Sequence, residues 1–295
     1  MSGTCSRRLA IGFTTWSLEV DELRARGRWP PPDGPRVAIV GSRRPSPYGE
    51  AVAEQLAAEL ARSGAVVISG LALGIDAAAH RGALTCGGIT VAVMGTGVDI
   101  VYPAAHARLA EEIIAAGGAL VSQFADGTTP RRHNFPARNW TMAALSDAVV
   151  VVEAAEGSGA LITAEAALEL HKEVMAVPGS VFSPLSIGTH SLIRDGAALV
   201  QNARDVLAGL GVTQEVLDDP LAPPHGLGFR PPSARDGILS HLSDVLALSA
   251  AEIARKLQLP VSEVLARLTA LELDGAVRRH QDGYIRSLRR GKQRA

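Results

Sequence analysis

The sequence predicts an α/β fold: a Rossmann-like, doubly wound, mostly parallel sheet followed by a small C-terminal winged-helix domain. Three observations carry that expectation. From Arg36 onward, short β-branched runs alternate with Ala-, Leu- and Glu-rich stretches of helical period, the pattern of a parallel sheet covered on both faces. The runs end in glycine-rich loops, as strands do where a ligand approaches the sheet. A proline- and glycine-rich interval at 218–232 then separates this region from a shorter block with its own helix and hairpin signals.

The elements follow in order. Residues 1–35 read as an N-terminal arm or partial helix, because Trp29-Pro-Pro-Pro-Asp-Gly-Pro35 breaks regular structure ahead of the first strong strand. Strands are expected at 37–40, 65–69, 90–94, 119–122, 147–153 and 174–177, with 199–200 as a candidate edge. Helices are expected near 49–63, 76–84, 104–116, 138–145 and 163–170, each with apolar residues at helical spacing. These fill a Rossmann-like domain at 36–212, and a linker occupies 213–232. The winged helix spans 233–288, with helices at 238–248, 250–257 and 261–274 and a hairpin at 276–285 turned by Asp282-Gly283. A capping box, Ser249-Ala-Ala-Glu252, opens its second helix, and a basic tail closes the chain at 289–295.

Composition excludes several classes. The 295 residues are long enough for two domains, and 47% hydrophobic with 20% charged residues excludes wholesale disorder. A net charge of -1 excludes a uniformly basic nucleic-acid binder, so any polyanion site must come from clustered arginines. Cys5 and Cys86 stand in unrelated contexts, supporting neither a disulfide framework nor a thiolate metal site, and a reducing compartment is expected. No apolar run approaches the ~20 residues of a membrane helix, and residues 1–22 lack a signal-peptide pattern. The expectation is a cytoplasmic protein with no membrane partner.

In an open parallel sheet, ligands bind outside the carboxyl ends of the strands. The loops there are Gly41-Ser-Arg-Arg-Pro-Ser-Pro-Tyr-Gly49, Gly70-Leu-Ala-Leu-Gly-Ile-Asp76, Gly95-Thr-Gly-Val-Asp-Ile-Val-Tyr-Pro103, a segment from Glu153 to Thr163, and Pro178-Gly-Ser180. For any one of them a tight turn explains the glycines; together they point to a phosphate-binding edge. Neither common nucleotide motif is complete: no phosphate loop of the ATPase kind occurs, and Gly95-Thr-Gly97 has Ile100 where a dinucleotide fingerprint needs its third glycine.

The sharper feature is Pro130-Arg-Arg-His-Asn-Phe-Pro-Ala-Arg-Asn-Trp140. Arg131, Arg132 and Arg138 surround Phe135 and Trp140, with no acidic residue from Gly127 to Ser146. Arginines neutralise phosphates and an aromatic face stacks an unpaired base, the combination used by single-strand binders. Arg43 and Arg44 extend the positive track. A solvated basic loop is the bland alternative, and Trp140 is read as a buried helix anchor. Asp76 and His80 lie four apart but lack a third ligand, so no metal site is expected. Glu153 has no neighbouring nucleophile or acid and reads as a loop-orienting residue, while Ser42 and Ser69 lack a hydrolase elbow. No catalytic residue, enzyme activity or cofactor is expected.

Through Val37-Ala-Ile-Val-Gly-Ser-Arg43, Ser69-Gly-Leu-Ala-Leu-Gly-Ile-Asp-Ala-Ala-Ala-His80, Phe135-Pro-Ala-Arg-Asn139, Glu153 with Ser158-Gly-Ala-Leu-Ile-Thr163, and Ala176-Val-Pro-Gly179, the chain resembles the bacterial DNA-processing protein A (DprA/Smf) family. The resemblance implies a single-stranded DNA-binding homodimer that protects incoming DNA and loads the RecA recombinase in natural transformation or recombination. By it, Arg43 and the Gly41-Ser42 backbone hold phosphate, Arg132 and Arg138 bind the strand, and Phe135 contacts a base. Gly70, Arg131 and Asn139 complete the expected DNA-binding set. The chain departs from the family's pattern at Gln123, Trp140 and His190, and the family's N-terminal helical module is absent or reduced to residues 1–28.

In the winged helix, the presumed recognition helix carries Glu263, Glu272 and Asp274 against Arg267, a poor balance for a major-groove reader. It is expected to dock protein, or to bind DNA through Arg278, Arg279 and the basic tail, with a simply solvated tail as the alternative. Two competing readings stay open. One is a nucleotide-processing enzyme related to the Lonely Guy phosphoribohydrolases, against which the spacing of Glu165 speaks; the other is a purely structural partner-binding protein.

Overall fold

The computed structural model describes residues 23–212, 238, 242, 247–257, 259–273, 276–280 and 283–286. The chain divides into two compact units, Met1–Ala222 and Pro223–Ala295. The expected linker at 213–232 lies outside the described residues.

The first unit is built on an eight-stranded sheet: β1 (Arg24–Gly27), β2 (Arg36–Val40), β3 (Val66–Ser69), β4 (Thr90–Val93), β5 (Ala119–Ser122), β6 (Ala148–Val151), β7 (Glu173–Ala176) and β8 (Ala198–Leu199). Their spatial order is β1-β5-β4-β3-β2-β6-β7-β8, and every neighbouring pair is parallel except β1 with β5. Between them run α1 (Pro47–Arg62), α2 (Ile75–Thr85), α3 (Ala107–Ala115), α4 (Asn134–Ala144), α5 (Gly159–Glu169), α6 (Ile187–Arg194) and α7 (Ala203–Gly209).

The strands read as continuous apolar runs because both sheet faces are covered. Alternate residues Val37, Ile39, Val67 and Val150 pack under α1, α2 and α7, with Leu56, Leu60, Ile75 and Leu207 among the facing side chains. The other set, Ala38, Val40, Ile68, Val93 and Val151, packs against Met142 and Ala143 of α4 and Ala160 and Ala164 of α5. Ala92, Met94 and Leu120 meet Leu109 and Ile113 of α3.

Four differences from the sequence expectation have local causes. Residues 24–27, placed in the arm, form an edge strand paired with β5. The helix expected from 138 starts at Asn134, because Pro136 falls in the first turn, where its missing N–H breaks no helical bond. α5 begins at Gly159, where the Ser158 side chain accepts the Ala160 N–H as a cap. α6 and α7 are too short and weakly patterned to stand out; α7 is fixed by Asn202, whose Oδ1 accepts the Asp205 N–H at 3.0 Å.

The second unit contains α8 (Ala250–Leu257), α9 (Val261–Leu273) and the antiparallel pair β9 (Val277–His280) and β10 (Gly283–Arg286). Its core joins Ile238, Leu242, Ile253, Val264, Leu268, Val277 and Tyr284. The expected capping box forms: Ser249 N–H donates to the Glu252 carboxylate at 2.8 Å and the Glu252 N–H donates to Ser249 Oγ. Leu248, expected to end a helix, instead bridges Tyr284 in a strand-like pairing, and residues 281–282 of the expected turn lie outside the described residues.

Candidate nucleic-acid interface

From β2 the chain steps outward through β3, β4 and β5, then returns to the other side of β2 for β6, β7 and β8. The topological switch therefore lies between the carboxyl ends of β2 and β6. A dinucleotide-binding sheet would place its phosphates there, on the N-terminus of α1. Here that position is taken by a side chain. Glu153, 3% exposed, accepts the Ser46 N–H at 2.9 Å and the Ser46 hydroxyl at 2.5 Å, and Ser46 Oγ caps α1 by accepting the Gly49 N–H at 3.1 Å. The carboxylate complements the helix dipole. Burial raises the pKa of Glu153, and its two bonds from Ser46 pull it back. Glu153 thus fixes the 41–46 loop from beneath, the orienting role its isolation in sequence suggested.

A second buried layer underlies the β3 and β4 loops. Arg138 is 4% exposed; its Nη1 donates to the carbonyls of Gly70 and Val93, the latter at 2.7 Å, and its Nε donates to Asn139 Oδ1 at 3.2 Å. Asp76 accepts the N–H groups of Gly70 and Ala72 at 3.1 and 3.3 Å. Burial pushes the Asp76 carboxyl up, against the pull of the Arg138 charge and these two N–H donors. Gly70 lies between the two charges. A Cβ there would overlap the Arg138 guanidinium and come within 2.7 Å of Asp76 Oδ2, so only glycine fits. Asn139, 8% exposed, donates from Nδ2 to the Gly159 carbonyl at 3.1 Å, tying α4 to α5. Gly70, Arg138 and Asn139 are thus buried residues that position loops, with Arg138 Nη1 and Nε and both amide atoms of Asn139 engaged inside the protein.

Arg43, Arg131 and Arg132 are exposed, and Gly41 and Ser42 are half-buried. The Arg43 guanidinium carbon lies 5.5 Å from the centroid of the Phe135 ring, a cation–π geometry. Phe135, on the first turn of α4, rests against Gly95, where an added Cβ would come within 2.9 Å of the ring. Asn134 secures this contact by donating to the Gly95 carbonyl at 3.0 Å. The N-terminus of α4 has no side-chain cap and no acidic residue in its first turn, so the positive end of its dipole lies beside Arg131 and Arg132. An open cavity of about 320 Å³ adjoins it, lined by residues including Thr128, Arg131, His133 and Asn134.

Tyr102 completes the cluster and was missed in the sequence. Its ring centroid is 5.8 Å from that of Phe135, with the planes tilted by 43°. The available signal was an aromatic residue in the glycine-rich loop after β4, in a chain poor in aromatics.

The three departures from the family pattern all serve as internal links. Gln123 Oε1 accepts the Thr141 hydroxyl, Trp140 packs against the core under α4 as an anchor, and a His190 ring nitrogen lies 3.1 Å from the Gly179 carbonyl. His80 is buried with Nδ1 2.7 Å from Thr90 Oγ1. Because the Thr90 hydroxyl donates to the Val67 carbonyl, His80 Nδ1 carries the proton, and burial drives its pKa down to about 3. No group of three metal-ligating side chains occurs among the described residues.

Residues 19–211 match the model of the DNA recombination-mediator protein A family. The chain belongs to this family. Residues 220–283 match the DprA winged helix domain. Protein Smf of Escherichia coli K12 is 41% identical over 257 residues, covering 85% of this chain and 67% of that protein. The putative DNA processing protein DprA of Mycobacterium tuberculosis H37Rv is 43% identical over 300 residues, covering 100% of this chain and 74% of that protein. Among solved structures, DprA from Streptococcus pneumoniae superposes with a TM-score of 0.55 at 46% identity, covering 59% of this chain and 61% of that one. DNA processing protein A from Helicobacter pylori, for which a single-stranded DNA binding mode is described, gives a TM-score of 0.57 at 32% identity, over 64% of this chain and 86% of that one. No helix among the described residues is long and apolar enough to cross a membrane.

Proposed function

We propose that this DprA-family chain is a cytoplasmic, non-catalytic protein that binds single-stranded DNA, protects incoming strands and loads RecA onto them during transformation or recombination. The observation that carries the reading is the Arg43–Phe135 contact beside the uncapped start of α4: phosphate-neutralising and base-stacking groups meet on one surface. The single-strand binding described for the H. pylori relative supports it. Arg43, Arg131, Arg132 and the Gly41-Ser42 loop would track the backbone, and Phe135 would take a base. Homodimer formation would cover exposed apolar side chains of the first unit, Val181, Phe182 and Ile187 being 80%, 94% and 51% exposed. The RecA partner rests on family membership. A binding role is favoured over phosphoribohydrolase chemistry because Glu165, in the 156–165 loop, is not spaced as the acid of those enzymes is. The Arg267–Glu263 ion pair on α9 further favours protein over DNA as the winged helix's partner.

Fluorescence anisotropy with a labelled single strand at moderate salt tests the site. Arg43→Ala and Phe135→Ala should each lose most of the affinity; wild-type affinity in both would sink it.

A further inference from the structure

A single exposed tyrosine needs no explanation on a protein surface. Tyr102 is different, because it is 47% exposed yet held beside Phe135, in the same cluster as Arg43. Phe135 is half-buried, with Gly95 against one side and the Arg43 guanidinium over its ring. Tyr102 therefore presents the more open aromatic face of the pair.

We infer that Tyr102 is a second stacking platform, and that the Tyr102–Phe135 pair holds two bases of one strand apart from each other. This role rests on the single-strand reading above and says how that site tells a single strand from a duplex. Neighbouring bases in a duplex are separated by about 3.4 Å along each strand and lie nearly parallel. Rings whose centroids are 5.8 Å apart and whose planes differ by 43° cannot both stack a base while those two bases stack on one another. The pair rewards a strand that is already unstacked. Paired, stacked bases have no face to offer it, so selectivity comes from the angle between two rings while Arg43 supplies charge that either form of DNA would accept.

The test uses the full chain with labelled oligo-dT and a matching duplex, comparing wild type, Tyr102→Leu, Tyr102→Phe and Arg43→Ala. Tyr102→Leu should lose about 5- to 150-fold in oligo-dT affinity, the span one base–aromatic stack carries, with its salt dependence unchanged. Duplex affinity should not move, and Tyr102→Phe should bind as wild type. Unchanged melting of both variants will show that the fold is intact. Irradiation with a 5-bromouracil-substituted oligonucleotide should place an adduct on Tyr102, located by peptide mass spectrometry. Wild-type oligo-dT affinity in Tyr102→Leu, or adducts only elsewhere, overturns the role of Tyr102; if Arg43→Ala is still weakened, the single-strand reading survives. A wild-type chain that binds no oligonucleotide overturns both.

Discussion

Arg43, on the loop after β2, and Phe135, on the first turn of α4, meet with the guanidinium carbon 5.5 Å from the ring centroid. Charge and stacking are thus adjacent but carried by different side chains, and they separate by their response to salt. Arg43→Ala should flatten the plot of log affinity for single-stranded DNA against log salt by about 0.7, the contribution of one phosphate contact. Phe135→Ala should weaken binding at every salt concentration and leave the slope alone. Anisotropy titrations between low and moderate salt measure both.

Gly70 and Arg138 make a stability prediction. Gly70→Ala drives a methyl group into the space between the Arg138 guanidinium and Asp76, and should destabilise the first unit by about 1–3 kcal/mol. Arg138→Leu leaves Asp76 buried without its cation and frees two loop carbonyls, at a cost of about 3–5 kcal/mol. Adding Asp76→Asn to Arg138→Leu should restore part of that loss. Urea unfolding of wild type, Asp76→Asn, Arg138→Leu and the double variant gives the coupling.

Glu153 supports the Arg43 loop without facing the surface. Glu153→Ala strands the Ser46 N–H and should cost about 1–3 kcal/mol while lowering single-strand affinity. Glu153→Gln keeps one acceptor and should fall between. Unchanged affinity in a folded Glu153→Ala chain would mean that the loop holds its shape unaided.

His80 sets a pH dependence. Its pKa falls from an ordinary 6.5 to about 3 on burial, so the unfolded chain binds the proton more readily than the folded one throughout that window. The stability is present in full above pH 6.5 and is lost as the pH falls toward 3, by an amount of order 4 kcal/mol at the lower limit. His80→Gln does not titrate and should show a shallower decline than wild type in urea midpoints taken between pH 7 and pH 4.

The sheet was legible because its strands are buried on both faces: Val37 and Ile39 on one and Ala38 and Val40 on the other are all apolar. β1 was not, since Arg24–Gly27 is exposed at every position and owes its extended form to the open edge of β5. In the site, exposed and buried arginines look alike in sequence. Arg131 and Arg132 stay in solvent while Arg138, a few residues on, turns inward because α4 starts at Asn134 and carries it under the β3 and β4 loops. Tyr102 escaped notice because its neighbours Phe135 and Arg43 come from other loops.

β1 also bears on where this protein can be cut. A fragment starting at Arg36 would keep every parallel strand but strip the antiparallel cover from Ala119–Ser122, together with the Arg26–Glu111 ion pair that pins that cover to α3. The bare rim would be flat, apolar and rich in unpaired amides, a template on which other chains can add strands. Such a fragment should precipitate or form heterogeneous oligomers, and the four residues of β1 act as a guard against self-recruitment.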